Sequence, residues 1–395
     1  MISERMVGLV KGSSVIRAMF EEGKKLAARY GAENVYDFSL GNPNVPAPSE
    51  VNEAIKAVVC EEKSTFLHGY TSNPGYADVR GAVADNLNKR FGTHFTYENI
   101  IMTVGAAGGL NVIFKSLLNV GDEVIAFAPY FGEYRSYAAN YDGKLVEVAP
   151  DESTFMPDIA AFEAAITPKT KAVIVNNPNN PSGVVYSEDI IRKIASIMDK
   201  KQKEYGTEIY LIADEPYREL VYDGVEVPFL TKYYDNTIVG YSFSKSLSLP
   251  GERIGYLVIP DEVVDAKMLQ SAAGVATRIL GFVNAPTLMQ RVVARCLDVE
   301  VNVAAYDKNR KALYDGLTEL GFECIKPQGA FYLWMKAPNK DEEKLVMTAK
   351  SHNILVVPGS SFACAGYVRI AYCVSYDTIM NALPKFALVA RELGL

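Results

Sequence analysis

The sequence is poor in the residues that staple a fold or load it with metal. Its five cysteines, Cys60, Cys296, Cys324, Cys364 and Cys373, include no CxxC pair, and an odd count does not describe a disulfide framework. The three histidines, His68, His94 and His352, are scattered without metal-ligand spacing, so no metal site is expected. No run approaches the roughly 18 apolar residues of a membrane span. The opening MISERMVGLVKGSS has neither a long apolar core nor a small-residue cleavage site. Basic residues are outnumbered, 40 against 47, and the net charge of −7 provides no general field for nucleic acid or an anionic membrane. These absences are those expected of a cytoplasmic globular protein, and its size is that of an enzyme.

What is present is length and order. The 395 residues correspond to two or three domains at roughly 150 residues each. Glu50 to Glu62 and Asp78 to Phe91 carry helical apolar spacing, as does Ser187 to Lys203. Between and beyond them lie short apolar runs bounded by Gly, Pro, Asn or Asp: Ile100–Val104, Glu123–Ala128, Ala172–Asn176, Ile209–Ala213, Thr237–Tyr241 and Gly255–Ile259. Continuous apolar runs are the mark of strands buried on both faces by crossover helices. The expected fold is therefore α/β, with a large, mostly parallel sheet at residues 46–285. A smaller α+β unit is expected from residues 1–45 plus 286–395, with one long helical stretch over Pro286–Leu320 and strands near Ala330–Met335, Ile354–Val357 and Tyr367–Cys373.

Ligands of such sheets sit beyond the carboxyl ends of the strands, so the polar residues there matter most. In Val239–Gly255, VGYSFSKSLSLPGERIG, Lys245 stands just past a strand among four serines, with Arg253 eight positions on. A lysine so placed suits a Schiff base with a carbonyl, and the hydroxyls and guanidinium suit an anion. A solvated loop with a surface lysine is the alternative. In IYLIADEPY, Asp214 ends a strand, where an acid either caps a helix or meets a positive group. VNNPNNPSG, residues 175–183, is a rigid Asn/Pro turn with donors and acceptors. VGAAGGL, residues 104–110, is a small-residue turn into a helix, which lets backbone N–H groups approach a phosphate. Each signal alone is weak. Together they agree on a ligand with a phosphate, a ring nitrogen, a phenolic oxygen and an aldehyde, which is pyridoxal 5'-phosphate.

From LGNP at Leu40 to YVRIAY at Tyr367 the chain resembles the fold-type I pyridoxal-phosphate-dependent aminotransferases, specifically the class I/II family that includes aspartate aminotransferases. DEPYREL and SFSKSLSLPGERIG resemble bacterial aspartate-type members most. The resemblance implies that Lys245 forms the internal aldimine and later shuttles the proton between Cα and the cofactor. It implies that Asp214 pairs with the pyridinium nitrogen, and that Asn180 and Tyr217 donate to the phenolic oxygen. Ala106, Ala107, Ser242, Ser244 and Arg253 correspond to the phosphate cup, Phe131 to the ring-stacking aromatic, and Tyr70 to a tyrosine reaching the neighbouring subunit's cofactor in a homodimer. Arg369 corresponds to the arginine gripping the substrate α-carboxylate, with Gly41 and Asn180 assisting.

The match has departures. Ala106 stands where Ser or Thr is frequent, and Ala107 stands where some dicarboxylate-specific relatives have Lys. Arg278, in VATRILGFVNAP, lies near the position of the side-chain-carboxylate arginine of other aspartate aminotransferases; the alternative is a helix-surface cation. The implied reaction is ping-pong amino transfer, aspartate with 2-oxoglutarate first. Aromatic or neutral amino acids, or β C–S cleavage on the same fold, are the alternatives. β C–S lyases differ in the residues just after the strand-end Asp-Glu, where this chain has Pro216 and Tyr217. The aminotransferase-like domain of a transcription regulator is disfavoured, since only about 40 residues precede the sheet and none form a basic DNA-reading module.

Overall fold

The computed structural model describes residues 2–11 and 15–395. Strand β1 (Tyr36–Asp37) comes first in the chain, followed by β2 (Ile100–Thr103), β3 (Glu123–Phe127), β4 (Lys144–Val148), β5 (Thr170–Asn176), β6 (Tyr210–Asp214), β7 (Thr237–Ser242) and β8 (Gly255–Val258). The last seven form one sheet in the order β2-β8-β7-β6-β5-β3-β4, parallel throughout except at β8, which runs antiparallel to both neighbours. The α/β fold with a mostly parallel sheet is thus as expected.

Burial on both faces explains the unbroken apolar runs. In β5, Val173 and Val175 join one hydrophobic cluster while Ala172 and Ile174 join another on the opposite face. Leu211 and Ala213 against Tyr210 and Ile212 repeat the alternation in β6. The covering helices follow their sequence signals. Helix Glu188–Tyr205 buries Ile191, Ile194, Ala195 and Met198, is capped by the Ser187 hydroxyl, and ends on Gly206 at φ 64°.

Two features differ from expectation. Strand β4, KLVEV, was not among the expected strands. It lies at the sheet edge, where Lys144 and Glu147 face solvent, so it lacks the continuous apolar character of its neighbours. The stretch 286–320 is two helices, Thr287–Ala294 and Val303–Glu319. Between them Val299 and Val301 are β-branched and poor in helix propensity, and Asn302 caps the second helix by accepting from the Ala305 N–H. Met289, Val292 and Val293 of the first helix pack into the large-sheet cluster.

Strands β9 (Cys324–Ile325), β10 (Tyr332–Lys336), β11 (Ile354–Leu355), β12 (Val357–Pro358) and β13 (Tyr367–Ala371) follow. A four-stranded antiparallel sheet, β12-β13-β10-β9, forms the core of the C-terminal region, and β1 pairs with β11 in parallel. Strand β13 is interior, so Arg369 is held from both sides, opposite Trp334 of β10 and Val357 of β12.

Candidate active site

The parallel register aligns Asn176, Asp214 and Gly240 side by side at the carboxyl ends of β5, β6 and β7. Above this edge lies a cavity of about 260 Å³, lined from the large sheet by Asn176, Asn180, Asp214, Tyr217, Ser242, Ser244 and Lys245. Leu40, Gly41, Tyr332 and Arg369 close it from the other side. Residues more than 300 positions apart therefore share one small volume.

Lys245 sits in the short helix Phe243–Ser246 directly after β7. Its Nζ donates to the Gly41 carbonyl at 2.7 Å. Burial lowers its pKa to about 8, opposed by the Cys373 thiol and assisted by Arg369 and Arg253. A substantial share of the amine is thus neutral, and nucleophilic, near physiological pH.

Asp214 is fully enclosed. Tyr134 donates to its Oδ2, and Asn176 Nδ2 donates to its backbone carbonyl at 2.9 Å. Its Oδ1 has no hydrogen-bond partner among the described residues. Burial raises the carboxyl pKa to about 6, with the Tyr134 bond opposing and the neighbouring Glu215 charge adding. A cationic N–H at Oδ1 would satisfy both the orphaned oxygen and the uncompensated charge.

Beside it, helix Gly105–Leu117 starts with Gly105 at φ +67° and no side-chain cap on its first N–H groups. A Cβ on Gly105 would lie 2.7 Å from a guanidinium nitrogen of Arg253, so glycine is what lets Arg253 approach the helix end. Ala106 and Ala107 keep the first turn open. The Ser242 hydroxyl donates to that of Ser244 at 2.8 Å. Free N–H groups, the positive helix end, two hydroxyls and a guanidinium form a cradle for a dianion. Phe131 flanks the cavity and meets Tyr134 edge-on at 5.7 Å.

Arg369 is buried without a carboxylate. Its Nη2 donates to the Ser39 carbonyl at 2.6 Å and its Nη1 to Asn180 Oδ1 at 3.1 Å, while Nε has no partner among the described residues. Its guanidinium lies 4.4 Å from the centre of the Tyr332 ring and 4.8 Å from that of Phe362. The fork is held flat by aromatic faces, ready for a planar anion. Tyr217 completes the group, its hydroxyl 2.8 Å from that of Tyr332.

Lys245, Asp214, Tyr217, Asn180, Ala106, Ala107, Phe131, Ser242, Ser244, Arg253, Arg369 and Gly41 thus converge on one cavity. Tyr70 and Arg278 do not line it. Tyr70 is 90% exposed, and Arg278 is exposed near the end of helix Ala266–Ile279. Tyr134, Tyr332 and the Asn176 side chain were not foreseen. Tyr134 stands three positions after Phe131, in APYFGEY, and Asn176 in VNNPNNPSG. Tyr332 had no local signal beyond an apolar strand. A second cavity, of about 400 Å³, lies behind the Lys245 loop. Its principal charges are already matched, Arg90 with Glu219 at 2.9 Å and Glu219 with the Tyr241 hydroxyl at 2.9 Å.

The donor set around Lys245 fits pyridoxal 5'-phosphate: an orphaned carboxylate oxygen for the ring nitrogen, a buried amine for the aldehyde and a cradle for the phosphate. Residues 33–386 match the family Aminotransferase class I and II. A probable aspartate/prephenate aminotransferase of Thermus aquaticus is 33% identical over 92% of this chain and 94% of its own. The crystal structure of an amino transferase from Eubacterium rectale superposes with a TM-score of 0.97 at 48% identity, covering 100% of both chains. The aspartate aminotransferase of Thermus thermophilus, solved with maleate, superposes with a TM-score of 0.85 at 29% identity, over 98% of this chain and 99% of that one. With a match over nearly its whole length, the chain belongs to the class I and II aminotransferases, enzymes that work with pyridoxal 5'-phosphate.

Proposed function

We propose that the protein transfers the amino group of L-aspartate to 2-oxoglutarate. The observation that carries this reading is a pair of buried, uncompensated charges, Asp214 and Arg369, on either side of a buried lysine amine. Pyridoxal phosphate, when bound, supplies the electron sink that lets Cα give up its proton. The remaining work falls to the chain's own side chains. Arg369 receives the α-carboxylate through its two-pronged fork, and Gly41, having no side chain, leaves room beside it. Lys245, with its pKa lowered to about 8, takes and returns the Cα proton. Asp214 holds its negative charge opposite the ring nitrogen. Asn180 uses its side-chain oxygen for Arg369 and keeps its Nδ2 as a donor to the ring oxygen, alongside the Tyr217 hydroxyl.

The dicarboxylate preference rests on the aspartate and aspartate/prephenate names of the relatives and on maleate, itself a dicarboxylate, in the Thermus thermophilus structure. One observation favours a second reading, in which aromatic or neutral amino acids are the donors. Lys245, Arg253 and Arg369 are the cations among the described residues lining the cavity, and all three already have proposed partners. A distal carboxylate therefore requires a cation from a second subunit, and Arg278 is the one the sequence nominates. A homodimer with shared sites is part of the proposal. Tyr70 is 90% exposed, and helix Ala266–Ile279 exposes Met268, Val275 and Ile279 along with Arg278, a surface suited to a second copy. We place the passage between the two units in the 295–302 connection, because helix Thr287–Ala294 packs on the large-sheet side, and we place the enzyme in the cytoplasm.

The test is the half-reaction. Mixing yellow holoenzyme with L-aspartate should bleach the visible band and yield oxaloacetate. Ammonia and pyruvate from cystathionine would instead indicate C–S cleavage. Faster bleaching by phenylalanine or tyrosine than by aspartate would favour the second reading. Across a panel of amino acids, Arg278→Ala should slow the acidic substrates selectively.

A further inference from the structure

Tyr332 is buried to 2% exposure in β10 and touches three parts of the site at once. Its hydroxyl lies 2.8 Å from the Tyr217 hydroxyl. Its ring face supports the Arg369 guanidinium at 4.4 Å. Its hydroxyl also occupies the place where a Cβ on Gly41 would have to go, so this placement of the tyrosine requires the glycine of LGNP.

The two hydroxyls differ in their duties. Burial pushes the Tyr332 hydroxyl up to about 12, and it also holds the Tyr217 hydroxyl well above the usual phenol range, so both carry their protons at neutral pH. Each then has one proton to donate. If Tyr217 gives its proton to the cofactor's ring oxygen, the contact between the two tyrosines has to run from Tyr332 to Tyr217. Hydrogen bonds in such a chain polarise one another, and each strengthens the next. The other charged or titratable groups around the pair are Arg369, Asp214, Tyr134, Cys373 and Lys245. Among the described residues none of these is hydrogen-bonded to the Tyr332 hydroxyl; either tyrosine could donate in the contact between them, and a Tyr217 that gives its proton to the ring oxygen leaves Tyr332 as the donor.

We propose that Tyr332 is a positioning residue that fixes the direction, and raises the strength, of the hydrogen bond Tyr217 donates to the cofactor's ring oxygen, while its ring separately holds Arg369 for the substrate carboxylate. The inference rests on the proposed role of Tyr217 as a donor to that oxygen. Its consequence is a division of labour within one side chain: the hydroxyl tunes the Lys245 nitrogen through the cofactor's ring oxygen, and the ring serves substrate binding.

The experiment is a pH titration of the visible absorbance of the holoenzyme, run on wild type, Tyr332→Phe, Tyr217→Phe and the double variant. Tyr332→Phe keeps the ring and removes the hydroxyl. Its titration midpoint should rise by about half a pH unit, a roughly three-fold change in the equilibrium, while KM for the amino acid changes less than about two-fold. Tyr217→Phe should shift the midpoint further in the same direction, and the double variant should match Tyr217→Phe alone, because the relay has then lost its only outlet. Tyr332→Leu should add a rise in KM, since Arg369 loses one of its two aromatic faces. A Tyr332→Phe midpoint equal to wild type, or a shift that adds fully in the double variant, overturns the relay and leaves the role of Tyr217 standing. A Tyr217→Phe midpoint equal to wild type overturns both.

Discussion

Two neighbouring carboxylates at the end of β6 have opposite surroundings. Glu215, 1% exposed, is clasped by Arg218, whose guanidinium also donates to the Val227 and Pro228 carbonyls at 3.0 Å and lies over Phe91 and Phe229. Asp214, buried beside it, has a phenol, a distant amide and an orphaned oxygen. The buried arginines divide in the same way. Arg310 is matched to Asp223 at 2.9 and 3.0 Å and to Asp307, whereas Arg369 has carbonyl oxygens and aromatic faces. Complete pairs hold the fold together. Incomplete ones flank Lys245, where, under the proposed function, a ligand with a cationic ring nitrogen and a substrate with a carboxylate would supply the missing halves. A lone buried charge costs several kcal/mol unless something answers it, so this asymmetry marks the site independently of any motif.

Breaking one member of each pair should separate the two kinds of charge. Asp214→Asn should lower kcat/KM by about 10³-fold, roughly 4 kcal/mol of transition-state stabilisation, while leaving the urea midpoint of the apoprotein unchanged or higher. Glu215→Gln should do the reverse. It strands Arg218, lowers unfolding free energy by about 3–5 kcal/mol, and changes kcat/KM of the folded fraction less than ten-fold. Matching behaviour of the two variants in urea melts and steady-state assays would erase the distinction.

The arginines sharpen it further. Arg369→Lys keeps the charge and loses the planar fork, so kcat/KM should fall about 10²-fold for every amino-acid substrate with little change in Tm. Arg310→Lys, facing two carboxylates, should instead lower Tm by several degrees and leave KM alone.

A pH dependence arises from Asp214 with a definite sign. Its folded pKa lies near 6 against an ordinary 3.8. A carboxyl raised on folding favours the folded state below about pH 4 and loses that advantage as pH rises through 6. Above pH 6 the ionised, unanswered carboxylate costs the apoprotein up to roughly 3 kcal/mol. Under the proposed function, bound cofactor would answer it. The stability gap between holo- and apoprotein should therefore widen from pH 5 to pH 7 in parallel denaturant titrations, and Asp214→Asn should remove the widening.

Much of the large sheet was legible because its strands are buried on both faces and so read as unbroken apolar runs. Strand β4 was not, since this edge strand carries exposed Lys144 and Glu147 among its apolar residues. Nor was the break at 295–302, where β-branched residues interrupt a stretch whose flanks are both helical. Lys245, Asp214 and the Asn/Pro turn stood at strand ends and could be suspected singly and believed jointly. Arg369 and Gly41 had no local signal and were reached through resemblance alone. Tyr134 and Tyr332 escaped because their importance lies in hydrogen bonds to partners 80 and 115 residues away. Such pairings depend on tertiary placement, which no window of sequence encodes.

The smallest effect tests how far the incomplete charges act on one another. Burial is the main reason that the Lys245 pKa lies near 8, and Arg369 and Arg253 add to it. A lysine whose pKa is lowered this far is half deprotonated near pH 8, where an exposed lysine would be almost wholly charged. Covalent capture of pyridoxal phosphate by the apoprotein, monitored by stopped-flow absorbance, should therefore accelerate with pH and level off above about 8. Arg369→Met removes one repelling cation and leaves the burial, so the midpoint should rise by less than about half a unit. A rise of two units or more would mean that charge, rather than desolvation, sets the amine. Arg369 would then have to be credited with activating the lysine as well as receiving the substrate.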